Sequence, residues 1–267
     1  MNLREILKDT KRVVVKVGTT SITHKNGKID LRKLDALARV LTDIRNSGKD
    51  VVLVSSGAIA VGTDKLGLAK RPRDTIGKQV ASAVGQAILM QMYERSFGEY
   101  NQKIAQILVT MPIFDSIRKV RNVQNTINSL LLMGVIPIVN ENDTVATDEF
   151  NEFSDNDTLS AYVASNIGSD LLIILSDIEG LYTDDPNKNK NAERIDVVEK
   201  VDDSIFQIAS GSSSSLGTGG MLTKVKAADL LTKKGIHMVI ASGVEPNILY
   251  DIMDGKDIGT LFIGGKK

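Results

Sequence analysis

The chain has 267 residues, of which 42% are apolar and 25% are charged, which is enough apolar material for one large domain or two closely fused lobes. Its 33 basic and 33 acidic residues give a formal net charge of zero, which disfavours nucleic acid or an anionic membrane as a partner. With no cysteine, the chain has no disulfides, thiol nucleophiles or thiolate metal sites, and two histidines supply little for a Ser-His-Asp triad or zinc site.

The sequence also bears on where the protein works. No apolar run reaches the roughly 18–20 residues that span a bilayer. Residues 1–12 carry charges throughout, so they lack the apolar core of a secretory signal. We therefore expect a cytoplasmic protein that does not enter a membrane.

In the first half of the chain, short β-branched runs alternate with stretches of helical periodicity. Strands are predicted at residues 12–17, 51–54, 104–109 and 135–139, and helices near residues 30–47, 75–97 and 116–133. Asp30 suits an N-cap of the first helix, and Gly48 stands where a glycine commonly follows a helix.

The second half continues the alternation. We predict a β-hairpin at 145–153, a helix at 157–166, a strand at 171–175, a polar loop at 183–191, a serine-rich loop at 210–220, a helix at 221–234, a strand at 238–241 and a helix near 246–253. The Val, Ile and Leu runs do not alternate with polar residues, which is typical of strands covered on both faces. The predicted fold is therefore α/β, with a mostly parallel central sheet between two helical layers.

Small or polar residues follow five of the predicted strands, at 18–20, 55–57, 140–143, 176–177 and 242–243. In open α/β sheets, ligands bind beyond the carboxyl ends of the strands. We expect a polar crevice at this edge that takes a polar or charged ligand.

Lys16 lies within the apolar run of the first predicted strand, shortly before Gly18. A lysine inside a central strand needs a charged partner or ligand. The alternative is an edge strand, from which the side chain would reach solvent.

Lys224 lies one turn into the helix that follows Gly217, Gly219 and Gly220. Backbone N–H groups favour anions at a helix N-terminus, so this lysine indicates a bound anion unless it points into water. The glycine loop matches neither a P-loop nor a dinucleotide-binding fingerprint, and a surface turn would have the same sequence.

Carboxylates and amides are concentrated between residues 140 and 157. The stretch contains Asn140, Glu141, Asn142, Asp143, Asp155, Asn156 and Asp157. Each acid has a plain structural explanation as a cap or turn residue, and we expect Asp157 to N-cap its helix. The density nevertheless suits a ligand with an ammonium group and carboxylates, and a divalent metal bound by the acids is an alternative.

Six segments in order along the chain resemble the amino-acid kinase family, and within it the branch that phosphorylates free glutamate. They are VVKVGT at 14–19, VSSGAIA at 54–60, VNENDTVA at 139–146, DNDTLSA at 155–161, GLYTDDP at 180–186 and LGTGGMLTK at 216–224. Ser176 departs from the threonine common in the family, and Ser154 from the usual glycine.

The resemblance implies the amino-acid kinase fold and transfer of the γ-phosphoryl group of ATP to the γ-carboxylate of L-glutamate, the first step towards proline. It assigns catalysis to Lys16, Asp157 and Lys224, and glutamate binding to Ser56, Gly57, Asp143 and Asn156. It assigns ATP binding to Lys16, Gly18, Ser176, Asp177, Thr218, Gly219, Gly220, Met221, Leu222, Thr223 and Lys224. Mg²⁺ would be held mainly by the ATP phosphates, and no protein ligand to it is expected.

This chemistry needs no general base, because a γ-carboxylate with a solution pKa of about 4.3 is already ionised at neutral pH. The difficulty is the repulsion between that anion and the γ-phosphate. Lys16 and Lys224 would offset the repulsion, and Asp157 would hold both lysines in place.

The resemblance further implies a single kinase domain, with a substrate-binding part at roughly 1–168 and a nucleotide-binding part at roughly 169–267, to whose phosphate site Lys16 and Gly18 contribute. We expect no C-terminal PUA domain. A homodimer or homotetramer is expected, as is association with the next enzyme of the proline pathway.

Two other readings stay open. One is a kinase for another small carboxylate or carbamate on the same fold. The other is a non-catalytic sensor of an amino acid or nucleotide, which the retained Lys16, Asp157 and Lys224 disfavour.

Overall fold

An eight-stranded sheet organises the part of the chain that the computed structural model describes, residues 3–24, 26–145, 155–186, 188–211 and 220–265. The strands are β1 (Arg12–Val17), β2 (Asp50–Val54), β3 (Ile104–Val109), β4 (Ile136–Glu141), β5 (Leu171–Ser176), β6 (Val197–Val198), β7 (His237–Ser242) and β8 (Thr260–Phe262). The helices are α1 (Leu31–Asn46), α2 (Ala58–Lys65), α3 (Thr75–Gly98), α4 (Ile117–Leu132), α5 (Asn156–Asn166), α6 (Asp203–Gly211), α7 (Met221–Thr232) and α8 (Ile248–Met253).

The strands lie in the order β3-β4-β2-β1-β5-β7-β8-β6. All pairs are parallel except β7 with β8. Because β1 pairs with β2 on one side and β5 on the other, it lies at the centre of the sheet. The edge-strand alternative for Lys16 is therefore wrong.

Helices cover both faces of the sheet, as predicted. Alternate residues of a strand point to opposite faces. In β1, Val13 and Val15 belong to a core shared with α1, α3 and α8, whereas Val14 belongs to a core shared with α4, α5 and α7. The three-layer α/β/α sandwich is confirmed, and Lys16 lies on the same side of β1 as Val14.

The longer predicted elements are confirmed to within about two residues at most ends. Asp30 caps α1, accepting from Arg32 N and Lys33 N, and Gly48 follows with a φ of +94°. The prediction missed α2, α6, β6 and β8. The two strands have only two and three residues, too few for a hydrophobic period.

Two glycines let α2 and α3 meet backbone to backbone. A Cβ atom at Gly62 would lie 1.7 Å from Ala81 O, and one at Gly85 would lie 1.8 Å from Ala58 O. Any larger residue would push the helices apart. This contact fixes the start of α2, just after β2, against α3.

Several predicted features lie outside the described residues. They are most of the hairpin at 145–153, with Ser154, and nearly all of the serine- and glycine-rich loop, with Thr218 and Gly219. Among the described helices, none is long and apolar enough to cross a membrane.

Candidate active site

Lys16, Asp157 and Lys224 form a buried group, called here the lysine–aspartate cluster. Lys16 Nζ lies 2.6 Å from Asp157 Oδ1, and Lys224 Nζ donates to Asp157 Oδ2 at 3.0 Å. The side chain of Asp157 is 1% exposed, and those of the lysines are 10% and 4% exposed. One carboxylate thus holds two ammonium groups, which leaves the cluster with a formal charge of +1.

Three elements bring the cluster together. Lys16 is the fifth residue of β1, and the strand's alternation turns it towards the layer of α5 and α7. Asp157 lies in the first turn of α5 and Lys224 in the first turn of α7, and both side chains are buried. The cluster therefore forms because Lys16 faces one side of β1 and because α5 and α7 both begin close to it.

The predicted N-cap role of Asp157 is wrong. Asp155 caps α5, because its side chain accepts from the backbone N–H of Thr158 at 2.7 Å. A capping carboxylate is occupied by backbone N–H groups of its own helix. Asp157 lies inside the first turn and does not cap it, so its carboxylate can face the lysines. Both carboxylates also suit the positive end of the α5 dipole.

The electrostatics keep Asp157 ionised. Burial raises its pKa, but the charges and hydrogen bonds of Lys16 and Lys224 outweigh burial, so the pKa lies below its ordinary value. The pKa of Asp155 is raised instead, by burial and then by the nearby charge of Asp157. Asp157 is therefore not suited to act as a base at neutral pH.

The sheet edge next to the cluster carries the other predicted phosphate-side residues. Gly18 directly follows β1, and a Cβ atom there would lie 3.7 Å from Lys16 Nζ. Ser176 ends β5, and its hydroxyl donates to Asp177 Oδ1 at 3.0 Å. Gly243 N donates to Ser176 O at 2.6 Å, which ties the ends of β5 and β7 together.

The start of α7 is the described part of the predicted anion loop. Gly220 is the N-cap residue, and Thr223 Oγ1 donates to Gly220 O at 2.8 Å. Met221 is buried in the core below the sheet edge, and Leu222 packs against the same core. Any contact of these two residues with a nucleotide would therefore come mainly from their backbone.

Next to Asp157 in the chain, Asn156 joins α5 to the end of β2. Its Nδ2 donates to Ser55 O at 2.9 Å and to Ser56 Oγ at 2.5 Å. The same nitrogen lies 3.3 Å from Asn140 Oδ1 at the end of β4. The structure thus brings together two predicted glutamate-binding residues, Ser56 and Asn156, and adds Asn140.

Gly57 makes the turn between this strand end and α2. Its φ of +104° is left-handed, which favours glycine, and a Cβ atom would lie 3.0 Å from Ile22 Cδ1. This turn leads from β2 directly into α2.

Asp143 lies in a separate part of the cleft. Ser82 Oγ on α3 donates to Asp143 Oδ2 at 2.9 Å. Burial raises the pKa of Asp143, while the Ser82 hydrogen bond and the charge of Arg71 lower it in part. Asp143 lines a cavity of about 280 Å³ together with Ser82, Gln86, Glu141, Asn142 and Thr144.

Sequence reasoning missed the contribution of α3. Ser82, Gln86 and Tyr93 lie on one face of this helix, and each is buried. Each contacts a polar residue at the end of β2 or β4. The available signal was a row of polar residues at helical spacing on one face of this helix.

The acids of the described residues offer little to a metal ion. Among these residues no group of three His, Cys, Asp or Glu lies close enough to hold one. Asp157 is committed to two lysines and Asp155 to its helix cap. These two acids of the described residues are thus already engaged within the protein.

Comparison with known proteins places the chain in a class. The model of the amino acid kinase family matches residues 11–242, and the chain belongs to this family. Two solved structures share the fold at 16% identity, a carbamate kinase from Giardia lamblia bound to AMP-PNP and a UMP kinase from Bacillus anthracis. Their TM-scores are 0.68 and 0.65, and they cover 96% of this chain and 99% and 97% of their own.

Relatives with higher sequence identity are named for one activity. The chain is 48% identical over 267 residues to the glutamate 5-kinase of Clostridium perfringens, covering 99% of each protein. It is 46% identical over 266 residues to the glutamate 5-kinase of Enterococcus faecalis, covering 98% of each. The similarity extends over nearly the whole chain, so it includes every element that forms the cleft.

Proposed function

We propose that the chain is a glutamate 5-kinase, which transfers the γ-phosphoryl group of ATP to the γ-carboxylate of L-glutamate. The products are ADP and L-glutamyl 5-phosphate, and the reaction opens the route to proline. Relatives at 46–48% identity over nearly the full length support this activity. The observation in the structure that carries it is the lysine–aspartate cluster.

The cluster answers the main chemical demand of the reaction. The acceptor is an anion that must approach a polyphosphate, so positive charge has to lie between them. Two buried ammonium groups share one carboxylate, so the three cluster side chains together have a formal positive charge and are largely shielded from solvent. The charge is in position before the substrates arrive, and this preorganisation lowers the barrier.

The three residues have different parts in this scheme. Lys16 and Lys224 donate to oxygens of the transferring phosphoryl group and the β-phosphate. Asp157 acts as a positioning residue, because its two oxygens hold the two ammonium groups side by side. The γ-carboxylate attacks in its ionised form, and no proton has to be removed.

The nucleotide is proposed to bind along the edge formed by β1, β5 and the start of α7. Gly18, which follows β1, and Gly220, the N-cap residue of α7, would offer backbone N–H groups to the phosphates. Ser176, Asp177, Thr218, Gly219 and the stretch from Met221 to Thr223 complete this site. The proposal keeps the division of the chain into a substrate-binding part at 1–168 and a nucleotide-binding part at 169–267.

Glutamate is proposed to bind in the cleft between the ends of β2 and β4. Asp143 carries the negative charge that would pair with the substrate ammonium group. Ser56, Gly57 and Asn156 would complete the site for the ammonium and α-carboxylate groups. Burial of Asp143 strengthens such a charge pair, since water screens it less.

Magnesium would enter with ATP, held mainly by the phosphates. When bound, it neutralises part of the phosphate charge. The protein's own share of that task falls to Lys16 and Lys224.

We also propose that the enzyme works in the cytoplasm as a homodimer or homotetramer and associates with the next enzyme of the pathway. Exposed apolar side chains on α4 support self-association, since Leu132 and the following Met133 are 89% and 75% exposed. Light scattering coupled to size-exclusion chromatography measures the mass in solution. A monomer at micromolar concentration would contradict this proposal.

The test of the activity is γ-glutamyl hydroxamate formation with ATP, Mg²⁺, L-glutamate and hydroxylamine, together with ADP release from a panel of acceptors. We expect hydroxamate from L-glutamate, and ADP release at least tenfold faster than with L-aspartate, N-acetyl-L-glutamate, carbamate or UMP. Faster turnover of another acceptor would favour a different kinase. Binding of ATP or glutamate without any turnover would favour the sensor.

A further inference from the structure

Helix α3 contributes three buried polar side chains to the proposed glutamate site at the ends of β2 and β4. Ser82 Oγ donates to Asp143 Oδ2, Gln86 Oε1 accepts from Asn140 Nδ2 at 2.8 Å, and Tyr93 Oη lies 2.8 Å from Ser55 Oγ. The three positions are four and seven residues apart, which places them on one helical face. Gln86 lies in the middle and is 8% exposed.

Backbone groups fix the orientation of the amides that follow Gln86. Asn140 Oδ1 accepts from the backbone N–H of Glu141 at 2.9 Å, and a backbone N–H can only donate. Asn140 Nδ2 must therefore face Gln86, which has to present its oxygen. Asn156 Nδ2 donates to the carbonyl oxygen of Ser55, which can only accept.

The result is a continuous path from α3 to α5. Asn140 donates through Nδ2 to Gln86 Oε1, and its Oδ1 lies 3.3 Å from Asn156 Nδ2. Because the hydrogens of Asn156 Nδ2 face Ser55, Ser56 and Asn140, its Oδ1 atom remains as the acceptor for a ligand. Such an atom suits the ammonium group of an amino acid and not a carboxylate.

We propose that Gln86 is a positioning residue for L-glutamate, acting through Asn140 to keep the acceptor oxygen of Asn156 towards the substrate ammonium group. This inference rests on the proposed function. Without the Gln86 oxygen, Asn140 Nδ2 loses a buried partner, and only the hydrogen bond from the Glu141 backbone N–H still opposes a rotation that turns the Asn140 nitrogen towards Asn156. The two amide nitrogens would then compete for the same acceptors.

The test compares Gln86→Met, which keeps the length and removes the acceptor, with Gln86→Glu, which keeps an acceptor. The matched control is Gln91→Met, an exposed glutamine on the same helix. For Gln86→Met we expect the KM for L-glutamate to rise about five- to tenfold, with the KM for ATP within twofold of wild type. Gln86→Glu should stay within threefold of wild type for both substrates, and Gln91→Met within twofold.

Binding of L-glutamate is also measured by calorimetry, since this readout does not depend on turnover. A Gln86→Met protein with an unchanged glutamate KM and Kd, or with equal losses for ATP and glutamate, would overturn the proposal. If Gln86→Met does not fold, Gln86→Glu decides, and a glutamate KM raised more than threefold overturns it. A wild-type protein that makes no hydroxamate refutes the proposed function instead, so the two failures are distinguishable.

Discussion

The two sides of the cleft are built from different interactions. The proposed phosphate side, around the lysine–aspartate cluster, depends on full charges, with two lysines on a single buried aspartate. The proposed acceptor side, at the ends of β2 and β4, depends mostly on neutral amides and hydroxyls, which run from Gln86 through Asn140 to Asn156. Among the described residues that line the cavity near Gln86, the charged side chains are those of Asp143 and Glu141, both half-buried.

The difference indicates a division of labour. Buried charges act strongly on charge that develops in the reaction, so they should govern kcat. Hydrogen-bond networks fix geometry and donor–acceptor pattern, so they should govern which acceptor binds and its KM. Substitutions on the two sides should therefore separate in steady-state kinetics.

The largest effect is expected from removing a lysine of the cluster. Lys16→Ala or Lys224→Ala should lower kcat by about 10²–10⁴-fold, because each variant loses one preorganised charge contact with the phosphoryl group. ADP release at saturating substrates measures this. The control is Lys226→Ala, which removes an exposed lysine from α7, the helix of Lys224. Its kcat should stay within about twofold of wild type. Turnover near wild type in either cluster variant would refute the charge assignment.

The next effect concerns the carboxylate between the lysines. Asp157→Asn keeps the shape but leaves two ammonium groups together without a counter-charge. We expect a loss in kcat of at least about 100-fold and a free energy of unfolding lower by about 3–5 kcal/mol, the cost of breaking a buried ion pair. Urea denaturation and kinetics on the same preparation measure both. An Asp157→Asn variant with normal stability and turnover would show that the two lysines do not need the negative charge of Asp157.

A smaller and more selective effect is expected on the acceptor side. Asp143→Ala should raise the KM for L-glutamate about 10- to 100-fold, the value of one charge-assisted hydrogen bond, with the KM for ATP nearly unchanged. Asp64→Ala, which removes an exposed carboxylate near the end of α2, is the control. Equal losses for the two substrates would contradict the division of labour.

The smallest effect is a shift in pH dependence. Asp143 has to be ionised to pair with an ammonium group, and its pKa is raised by burial, so kcat/KM for glutamate should fall as the pH drops through that raised pKa. The Ser82 hydrogen bond favours the ionised form. Ser82→Ala should therefore move the acid limb to higher pH, and the measurement is kcat/KM for glutamate against pH in both proteins. A limb that stays in place or moves to lower pH would contradict this role of Ser82.

Much of the phosphate side could be predicted from the sequence. Lys16 stands out because a lysine is costly inside an apolar strand, and Lys224 because a cation is disfavoured at a helix start. Their shared partner was harder to assign, since Asp155 and Asp157 both suit a cap and only the register of α5 decides between them. The pairing depends on tertiary contact between β1, α5 and α7, which no local pattern contains.

The support of the acceptor side was not predicted from the sequence. Gln86 and Tyr93 look like ordinary residues of a long helix, and their partners are 54 and 38 residues away along the chain. The close approach of α2 and α3 at Gly62 and Gly85 also follows from packing and not from propensity. The only trace of these long-range hydrogen bonds in the sequence is the helical spacing of the polar residues on α3, which is a weak signal.

The central claim is that the two ammonium groups on Asp157 face the phosphates during transfer. A crystal structure with AMP-PNP, Mg²⁺ and L-glutamate tests it most directly. We predict that Lys16 Nζ and Lys224 Nζ each lie within hydrogen-bonding distance of a β- or γ-phosphate oxygen while both stay in contact with Asp157. A complex in which either ammonium group points away from the phosphates would contradict the account.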